Sequence, residues 1–157
     1  VGTIAQLDLA ALVRDEVAAR VPAAMAQGAD LGYGGAAQGA WVIGDALLLR
    51  EMLGNLIDNA LRYGRRDGVV TVSVQSEADD GVLLAVGDDG PGVPPELWPR
   101  LGERFFRVDG NHREGSGLGL AIVREIAERH GAIVDFGPGP DGTGLRVEIR
   151  FPPPAQV

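Results

Sequence analysis

Polar side chains recur at helical spacing between residues 55 and 63. Asn55 and Asn59 lie one helical turn apart. Arg62 and Tyr63 follow after another turn, so the four side chains form one stripe. Asparagine is a poor residue for a helix interior, because its amide competes for backbone hydrogen bonds. Amide oxygens suit a divalent cation balanced by phosphates, to which arginine and tyrosine can donate, so the stripe fits a metal and phosphate site, with solvated asparagines as the alternative.

A second candidate group ends a hydrophobic stretch at Asp88. The segment LLAVGDDGPGV runs apolar into this acid and continues through Gly90 and Gly92. An ionised aspartate at a strand end accepts hydrogen bonds, including one from the exocyclic amine of adenine, and the glycines allow a close approach. Taken alone, the segment fits an ordinary Asp-Gly turn better.

The glycine-rich segment GSGLGL covers residues 115–120 and precedes a helical pattern. Glycines before a helix leave its free amides open to an anion, and the helix dipole favours phosphate there. Gly115, Gly117 and Gly119 are therefore candidate phosphate-binding residues. A flexible hinge ahead of a buried helix is the alternative.

Arginines flank two phenylalanines in the segment LGERFFRVDGNHRE. Arg104 and Arg107 could clamp the terminal phosphates of a nucleotide, with Phe105 or Phe106 as the anchor of the segment. An exposed charged loop with buried rings is the alternative, and it is the preferred interpretation for Arg113.

Two further patterns favour structural roles. Gly137, Gly139 and Gly142 formally satisfy GxGxxG, but no helix follows them, so we predict a turn. His112 lies in a loop and His130 at a helix end. Neither has the neighbours of a catalytic triad or metal site, so we expect capping or solvated side chains.

These residues need helices and strand ends to position them. A helix over residues 47–64, capped by Asp45, would bury the apolar residues beside the asparagine stripe. Asp8 caps a second helix to about Gln27, which Pro22 should kink or end early. The other predicted elements are strands at residues 3–7, 29–33, 39–43, 69–76, 82–86, 133–136 and 145–151, and helices at residues 94–101 and 118–130. Strands and helices interleaved with hairpins predict a layered α/β fold with a mixed sheet.

Composition limits the function classes. The 157 residues suit one domain, and 45% hydrophobic with 23% charged residues is typical of a soluble globular protein. The net charge of −8 argues against nucleic-acid binding. Every basic residue is arginine and no cysteine is present, which excludes a Walker lysine, a Schiff base and thiolate metal sites. No apolar run reaches membrane-spanning length, and because Val1 is not an initiator methionine we expect a fragment or processed chain.

Five segments in order, NLIDNALRY, DDGPGV, ERFFR, GSGLGLAIV and HGA, resemble the ATP-binding catalytic domain of sensor histidine kinases, which are Bergerat-fold ATPases. The resemblance covers nearly the whole chain, and the order and spacing make it specific. It implies a two-layer α/β sandwich, a mixed sheet packed on three helices, with ATP held between the helix at residues 47–64 and a flexible lid. The implied domain covers residues 1–151, and residues 152–157 form a proline-rich tail.

The resemblance also implies a role for each candidate residue. Asn59 corresponds to the magnesium-ligating asparagine, Asn55 supports the metal or phosphates, and Asp88 corresponds to the adenine-reading aspartate. The other implied nucleotide-binding residues are Arg62, Tyr63, Gly90, Gly92, Arg107, Gly115, Gly117, Leu118 and Gly119. The implied catalytic residues are Asn55, Arg62 and Arg107. Two positions depart from the family pattern, since Arg62 replaces a common lysine and HGA replaces HGG.

The implied reaction is transfer of the γ-phosphoryl group of Mg-ATP to a histidine on a separate dimerisation and phosphotransfer domain, because no phosphoacceptor segment is present. Hydrolytic relatives carry a glutamate where Asn55 stands, which favours phosphotransfer here. An anti-sigma-type serine kinase and a nucleotide-binding module without transfer are the alternatives. The implied cofactors are ATP and Mg²⁺, and a response regulator is the downstream partner. We expect this fragment to be a soluble monomer, and the full-length protein to be a membrane-bound homodimer with this domain in the cytoplasm.

Overall fold

A five-stranded mixed sheet, a two-stranded ribbon and a layer of helices make up the fold. The computed structural model describes residues 3–103 and 119–154. The strands are β1 (Ile4–Asp8), β2 (Asp30–Tyr33), β3 (Trp41–Asp45), β4 (Val69–Ser76), β5 (Val82–Asp88), β6 (Ile133–Pro138) and β7 (Leu145–Phe151). The helices are α1 (Leu9–Ala26), α2 (Ala46–Tyr63) and α3 (Gly119–Arg129), with short 3₁₀ helices at Pro95–Arg100 and Pro140–Gly142.

The larger sheet has the strand order β2-β4-β5-β7-β6. β2 is parallel to β4, whereas the other neighbouring strands are antiparallel. β1 and β3 form the separate antiparallel ribbon. The sheet is therefore mixed, as predicted, and β5 lies at its centre with β4 on one side and β7 on the other.

One face of the sheet forms the core with the helices. Val70, Val72 and Val74 of β4 are at most 3% exposed, and the residues between them contact solvent more. This alternation is typical of an antiparallel strand with one buried face. β5 is buried along nearly its whole length. The end of β5 is consequently enclosed by its neighbours.

Helix α2 packs against α1, α3 and the sheet. Met52, Leu53 and Ile57 on its apolar face are 0% exposed. The Oδ1 atom of Asp45 caps the helix and accepts hydrogen bonds from the amides of Leu47 (2.9 Å) and Leu48 (3.3 Å). The predicted helix, its cap and its buried face are all present.

Asp8 begins α1 and also fastens the loop before β3. Its Oδ1 accepts hydrogen bonds from the amides of Ala10 and Ala40, both at 3.1 Å, and its Oδ2 accepts one from Gly39 at 2.7 Å. Partial burial would raise the pKa of Asp8, but these backbone hydrogen bonds hold it below its usual value. The carboxylate therefore joins a helix start to a distant loop.

Pro22 lies inside α1, and the helix continues beyond it to Ala26. Of the two outcomes predicted for this proline, an early end of the helix is wrong, and a kink stays a prediction. Ala24 in the following turn is 0% exposed and packs in the core. That packing offsets the one backbone hydrogen bond that proline removes.

His130 joins the end of α3 to the start of α2. Its Nε2 atom accepts a hydrogen bond from the amide of Asp45 (3.1 Å), and its Nδ1 atom lies 2.8 Å from the carbonyl oxygen of Ile126. Because the amide can only donate, Nδ1 carries the ring proton and donates to Ile126. The ring also packs edge-on against Phe151. His130 is buried, so it caps rather than faces solvent.

Candidate functional site

Asp88 ends β5 as a buried carboxylate that is only 4% exposed. Its Oδ1 atom accepts hydrogen bonds from the amides of Gly90 (2.8 Å) and Leu145 (3.4 Å). Within the described residues, no protein donor contacts its Oδ2 atom. Buried polar atoms are usually hydrogen-bonded, so Oδ2 is available to accept a hydrogen bond from a ligand.

The electrostatic environment of Asp88 agrees with that reading. Burial raises the pKa of this carboxyl above its usual value, and the amides of Gly90 and Leu145 offset only part of the rise. The neighbouring Asp89 carboxylate raises the pKa further. The protein therefore offsets only part of the cost of burying the ionised carboxylate, and a ligand that donates a hydrogen bond to Oδ2 would stabilise the ionised form.

Glycines bring three parts of the chain against Asp88. A Cβ atom on Gly139 or Gly144 would overlap the carbonyl oxygen of Asp88. A Cβ atom on Gly90 would lie 2.9 Å from the carbonyl oxygen of Tyr63. Only residues without side chains fit at these three positions, so the end of β5, the turn between β6 and β7 and the end of α2 lie in direct contact.

Asn55 faces the first residue of α3. Its Nδ2 atom donates to the carbonyl oxygen of Glu51 at 2.9 Å. Its Oδ1 atom lies 3.6 Å from the position that a Cβ atom on Gly119 would occupy. The amide oxygen thus points towards the start of α3. Asn55 and Asn59 are both partly buried, so the polar stripe borders the core as predicted.

The middle and the last turn of α2 contact different parts of the site. Asn55 lies near Gly119, whereas Arg62 and Tyr63 form the last turn, beside Asp88. The eight residue steps from Asn55 to Tyr63 correspond to about 12 Å along the helix axis. Asp88, a hydrogen-bond acceptor, therefore lies near the Tyr63 end of this distance, and the start of α3 lies near the Asn55 end. That arrangement suits an elongated ligand with a hydrogen-bonding ring at one end and anionic groups at the other.

The polar stripe of α2 provides neutral amide oxygens as candidate metal donors. Among the residues that the structure describes, no group of three or more His, Cys, Asp or Glu side chains could hold a metal ion. The side-chain oxygens of Asn55 and Asn59 remain as donors. They suit a magnesium ion that takes most of its other ligands from phosphate and water.

Several predicted residues lie outside the described ranges, and their roles stay predictions. They are Arg104, Arg107, His112, Arg113, Gly115, Gly117 and Leu118. Gly92 is described and adopts a left-handed φ of 77°. A Cβ atom on it would lie 2.8 Å from the carbonyl oxygen of Gly144, so Gly92 belongs to the same glycine contacts as Gly90.

Asp89 has a role that the sequence pattern did not separate from that of Asp88. Its Oδ1 accepts a hydrogen bond from the amide of Val69 (2.9 Å), and its Oδ2 accepts one from Arg65 (3.0 Å). Partial burial would raise its pKa, but these hydrogen bonds and the Arg65 charge lower it below its usual value. Asp89 therefore holds the loop between α2 and β4.

Residues of the turn between β6 and β7 were also missed. Gly139 was predicted only as part of a turn, and Leu145 was predicted only as a strand residue. Both lie at Asp88 because β7 pairs with β5, placing Arg146 opposite Gly87. No local signal in the sequence indicates that pairing.

A groove of about 690 Å³ borders the loop after α2. It shares Gly64 and Pro91 with the surroundings of Asp88, but neither Asp88 nor the α2 asparagines line it. Its lining residues are Met25, Ala26, Gln27, Gly28, Ala29, Leu61, Gly64, Arg65, Arg66, Asp67 and Pro91. We therefore treat it as separate from the candidate site.

Comparison with known families agrees with this geometry. Residues 44–155 match the family model described as histidine kinase-, DNA gyrase B- and HSP90-like ATPase. The match covers more than half of the chain and includes Asn55, Asp88 and Gly119. The chain belongs to this ATPase family. The family that the five sequence segments predicted is therefore confirmed.

Individual relatives of this ATPase domain are sensor kinases. Sensor protein QseC of Salmonella typhi is 44% identical over 108 residues, which cover 69% of this chain and 23% of that protein. The chain thus spans about a quarter of the length of that curated relative. No helix in the described part of the chain is long and apolar enough to cross a membrane.

Solved structures share the fold of this domain. The mycobacterial sensor histidine kinase MprB superposes with a TM-score of 0.81 at 26% identity, covering 97% of this chain and 99% of that chain. Full-length ShkA in complex with AMPPNP gives a TM-score of 0.81 at 28% identity, covering 97% of this chain and 31% of that chain. The predicted α/β sandwich with a mixed sheet on three helices is confirmed.

Proposed function

We propose that this chain is the ATP-binding catalytic domain of a two-component sensor histidine kinase. It binds Mg-ATP and transfers the γ-phosphoryl group to a histidine on a separate dimerisation and phosphotransfer domain of the same kinase. The observation that carries the proposal is the buried Asp88, with one oxygen available to a ligand, in a member of this ATPase family. The AMPPNP complex of ShkA supports ATP as the ligand.

Asp88 binds the adenine ring. Its Oδ2 atom accepts a hydrogen bond from the exocyclic amine, while its Oδ1 atom stays bound to the amides of Gly90 and Leu145. Guanine has a carbonyl oxygen at the same ring position, so two acceptors would face each other. The site therefore selects adenine over guanine.

The phosphates lie along α2, from its last turn towards Asn55. The start of α3 at Gly119 lies near Asn55, where the helix dipole favours an anion, and we assign positive charge at the phosphates to Arg62 and Arg107. Asn59 and Asn55 are the residues that would hold magnesium. When bound, the ion neutralises charge on the phosphate oxygens during transfer.

The domain supplies position and charge, and the nucleophile comes from the phosphotransfer domain. The amide of Asn55 cannot remove a proton from water, so hydrolysis lacks a general base at this position. An imidazole nitrogen of the acceptor histidine forms a bond to the γ-phosphorus. The bond from that phosphorus to the bridging oxygen breaks, and ADP leaves with the electron pair.

The same proposal covers the rest of the protein. The phosphotransfer domain lies elsewhere in a membrane-bound homodimer, this domain lies in the cytoplasm, and a response regulator receives the phosphoryl group. The name of the relative QseC as a sensor protein favours this arrangement over the alternatives. An anti-sigma-type serine kinase and a binding module without transfer are the competing functions.

Calorimetric titration of AMPPNP, with and without magnesium, tests the nucleotide site. We expect magnesium-assisted binding to the unmodified chain and at least a ~10-fold weaker affinity in Asp88→Asn, because a hydrogen bond to a charged acceptor is lost. The matched control is Asp15→Asn, an exposed aspartate of α1 with a side chain 75% exposed, which should bind normally. A folded chain that binds no nucleotide at millimolar concentration would overturn the proposal.

Product analysis then separates the competing functions. The chain is mixed with labelled ATP and a separately expressed phosphotransfer domain from the same kinase. Acid-labile phosphohistidine supports the proposal, and acid-stable phosphoserine supports the serine kinase. Nucleotide binding without either product would identify a binding module.

A further inference from the structure

Asp89 contacts both ends of the loop that joins α2 to β4. Its Oδ2 atom accepts a hydrogen bond from Arg65 at 3.0 Å, and its Oδ1 atom accepts one from the amide of Val69 at 2.9 Å. The Asp89 side chain is 22% exposed and that of Arg65 is 56% exposed. A Cβ atom on Gly68 would lie 2.5 Å from Oδ1, so the loop passes directly over the carboxylate.

Backbone hydrogen bonds also hold this loop. The amide of Gly68 donates to the carbonyl oxygen of Arg65 at 3.1 Å. The amide of Asp30 in β2 donates to the carbonyl oxygen of Gly68 at 2.9 Å. Arg65, Arg66 and Asp67 are exposed and border the groove of about 690 Å³, so the apolar core does not hold this part of the loop. Among the described residues, the hydrogen bond and ion pair to Asp89 therefore hold the Arg65 side chain.

The same loop begins at the last turn of α2. A Cβ atom on Gly90 would lie 2.8 Å from the Cα atom of Gly64 and 2.9 Å from the carbonyl oxygen of Tyr63. The start of the loop and the last turn of α2, which carries Arg62 and Tyr63, therefore pack together against the end of β5. Asp88 lies at that end, one residue before Asp89.

We propose that Asp89 is a positioning residue that fixes the end of α2 relative to Asp88. The inference rests on the proposed function, in which Asp88 takes the adenine and the residues of α2 take the phosphates. The relative position of these two groups matters only to a ligand that contacts both of them. Asp89 therefore contributes to the affinity for ATP without contacting it. A site whose geometry is already fixed loses less conformational entropy when the ligand binds.

The test compares a whole ligand with its two parts. NMR titrations measure the dissociation constants of Mg-ATP, adenosine and inorganic triphosphate for the unmodified chain, Asp89→Asn and Arg65→Gln. We expect both variants to bind Mg-ATP about tenfold more weakly and to bind adenosine and triphosphate within about twofold of the unmodified chain. The double variant should show no more than the larger single effect, because both substitutions remove the same contact.

Arg66→Gln is the matched control, because Arg66 occupies the same loop and has no ion pair or hydrogen bond among the described residues. It should bind all three ligands like the unmodified chain. Equal weakening of ATP and adenosine would overturn the inference, since it would indicate a local effect on Asp88. Unchanged ATP binding in both variants would overturn it as well.

The design also distinguishes this inference from the proposed function. If the unmodified chain binds ATP and Asp88→Asn does not, a normal response of the Asp89 and Arg65 variants overturns only the positioning role. If the unmodified chain binds no ATP, both the proposed function and the inference fail. Should Asp89→Asn unfold, Arg65→Gln decides alone, because its exposed side chain can be changed without disturbing the core.

Discussion

Asp88 and Asp89 show how two adjacent carboxylates acquire different properties. Burial dominates at Asp88 and raises its pKa, whereas hydrogen bonds from Val69 and Arg65 lower the pKa of Asp89. The first residue keeps an acceptor atom for a ligand, and the second gives both of its oxygens to the protein. The available acceptor and the structural hydrogen bonds are thus divided between neighbours in sequence.

The raised pKa of Asp88 predicts a specific pH dependence of stability. In the window above the unfolded value of 3.8 and below the raised folded pKa, the folded state binds more protons, so the free energy of unfolding falls as pH rises. Asp88→Asn cannot ionise, and its Oδ1 atom can still accept from Gly90 and Leu145. We therefore expect the variant to lack this decrease and to be at least as stable as the unmodified chain at neutral pH.

Urea denaturation of both proteins at several values between about pH 4 and pH 7 measures this difference. Asp15→Asn provides the control for removing a carboxylate that is exposed. If the free energy of unfolding changes with pH in the same way for the unmodified chain and for Asp88→Asn, the ionisation of Asp88 is not linked to folding.

At the scale of elements, His130 is the polar contact that holds α3 against the start of α2. The ring accepts from the amide of Asp45 and donates to the carbonyl oxygen of Ile126. Gly44 makes room for it, because a Cβ atom there would lie 2.6 Å from Cδ2 and 2.8 Å from Nε2 of His130. Since the ring is buried and held by two hydrogen bonds, it has little freedom to move aside.

Gly44→Ala should therefore destabilise the fold by about 2 kcal/mol, from overpacking and from the lost hydrogen bond to Asp45. Chemical denaturation measures the change. Gly32→Ala is the matched control, because a Cβ atom on Gly32 meets nothing within 4 Å. In a chain that already carries His130→Ala, Gly44→Ala should lower the free energy of unfolding much less. Strictly additive effects of the two substitutions on this free energy would contradict the proposed contact.

At the scale of the molecule, nucleotide binding and folding are linked because the site joins several elements. α2, α3, the end of β5 and the turn before β7 all contribute to it, and no one of them forms it alone. A ligand that binds only the folded chain adds RT ln(1 + [L]/Kd) to its free energy of unfolding.

We expect Mg-ATP at about 100 times its dissociation constant to stabilise the chain by about 2.7 kcal/mol. Urea denaturation with and without the nucleotide measures this shift. Mg-GTP at the same concentration is the control, and it should have a much smaller effect because guanine presents an acceptor to Asp88. Equal stabilisation by both nucleotides, or by Mg-ATP in Asp88→Asn, would contradict adenine recognition by this residue.

Local patterns in the sequence determined most of the elements and the places of several candidate site residues on them. The apolar spacing of α2, its Asp45 cap and the asparagine stripe are all local features, because a helix brings residues three and four positions apart onto one face. The alternation in β4 and the αL glycine after α3, Gly131 with φ 67°, follow from equally local rules. The order of the five segments then identified the family.

Tertiary structure alone decided how those elements combine around the site. The pairing of β5 with β7 brings Leu145 and Gly144 to Asp88, although they are more than fifty residues away in sequence. The separate roles of Asp88 and Asp89, the burial of His130 and the continuation of α1 past Pro22 likewise depend on distant neighbours. Backbone pairing and burial join residues far apart in sequence, and periodicity reports only on residues that are close in it.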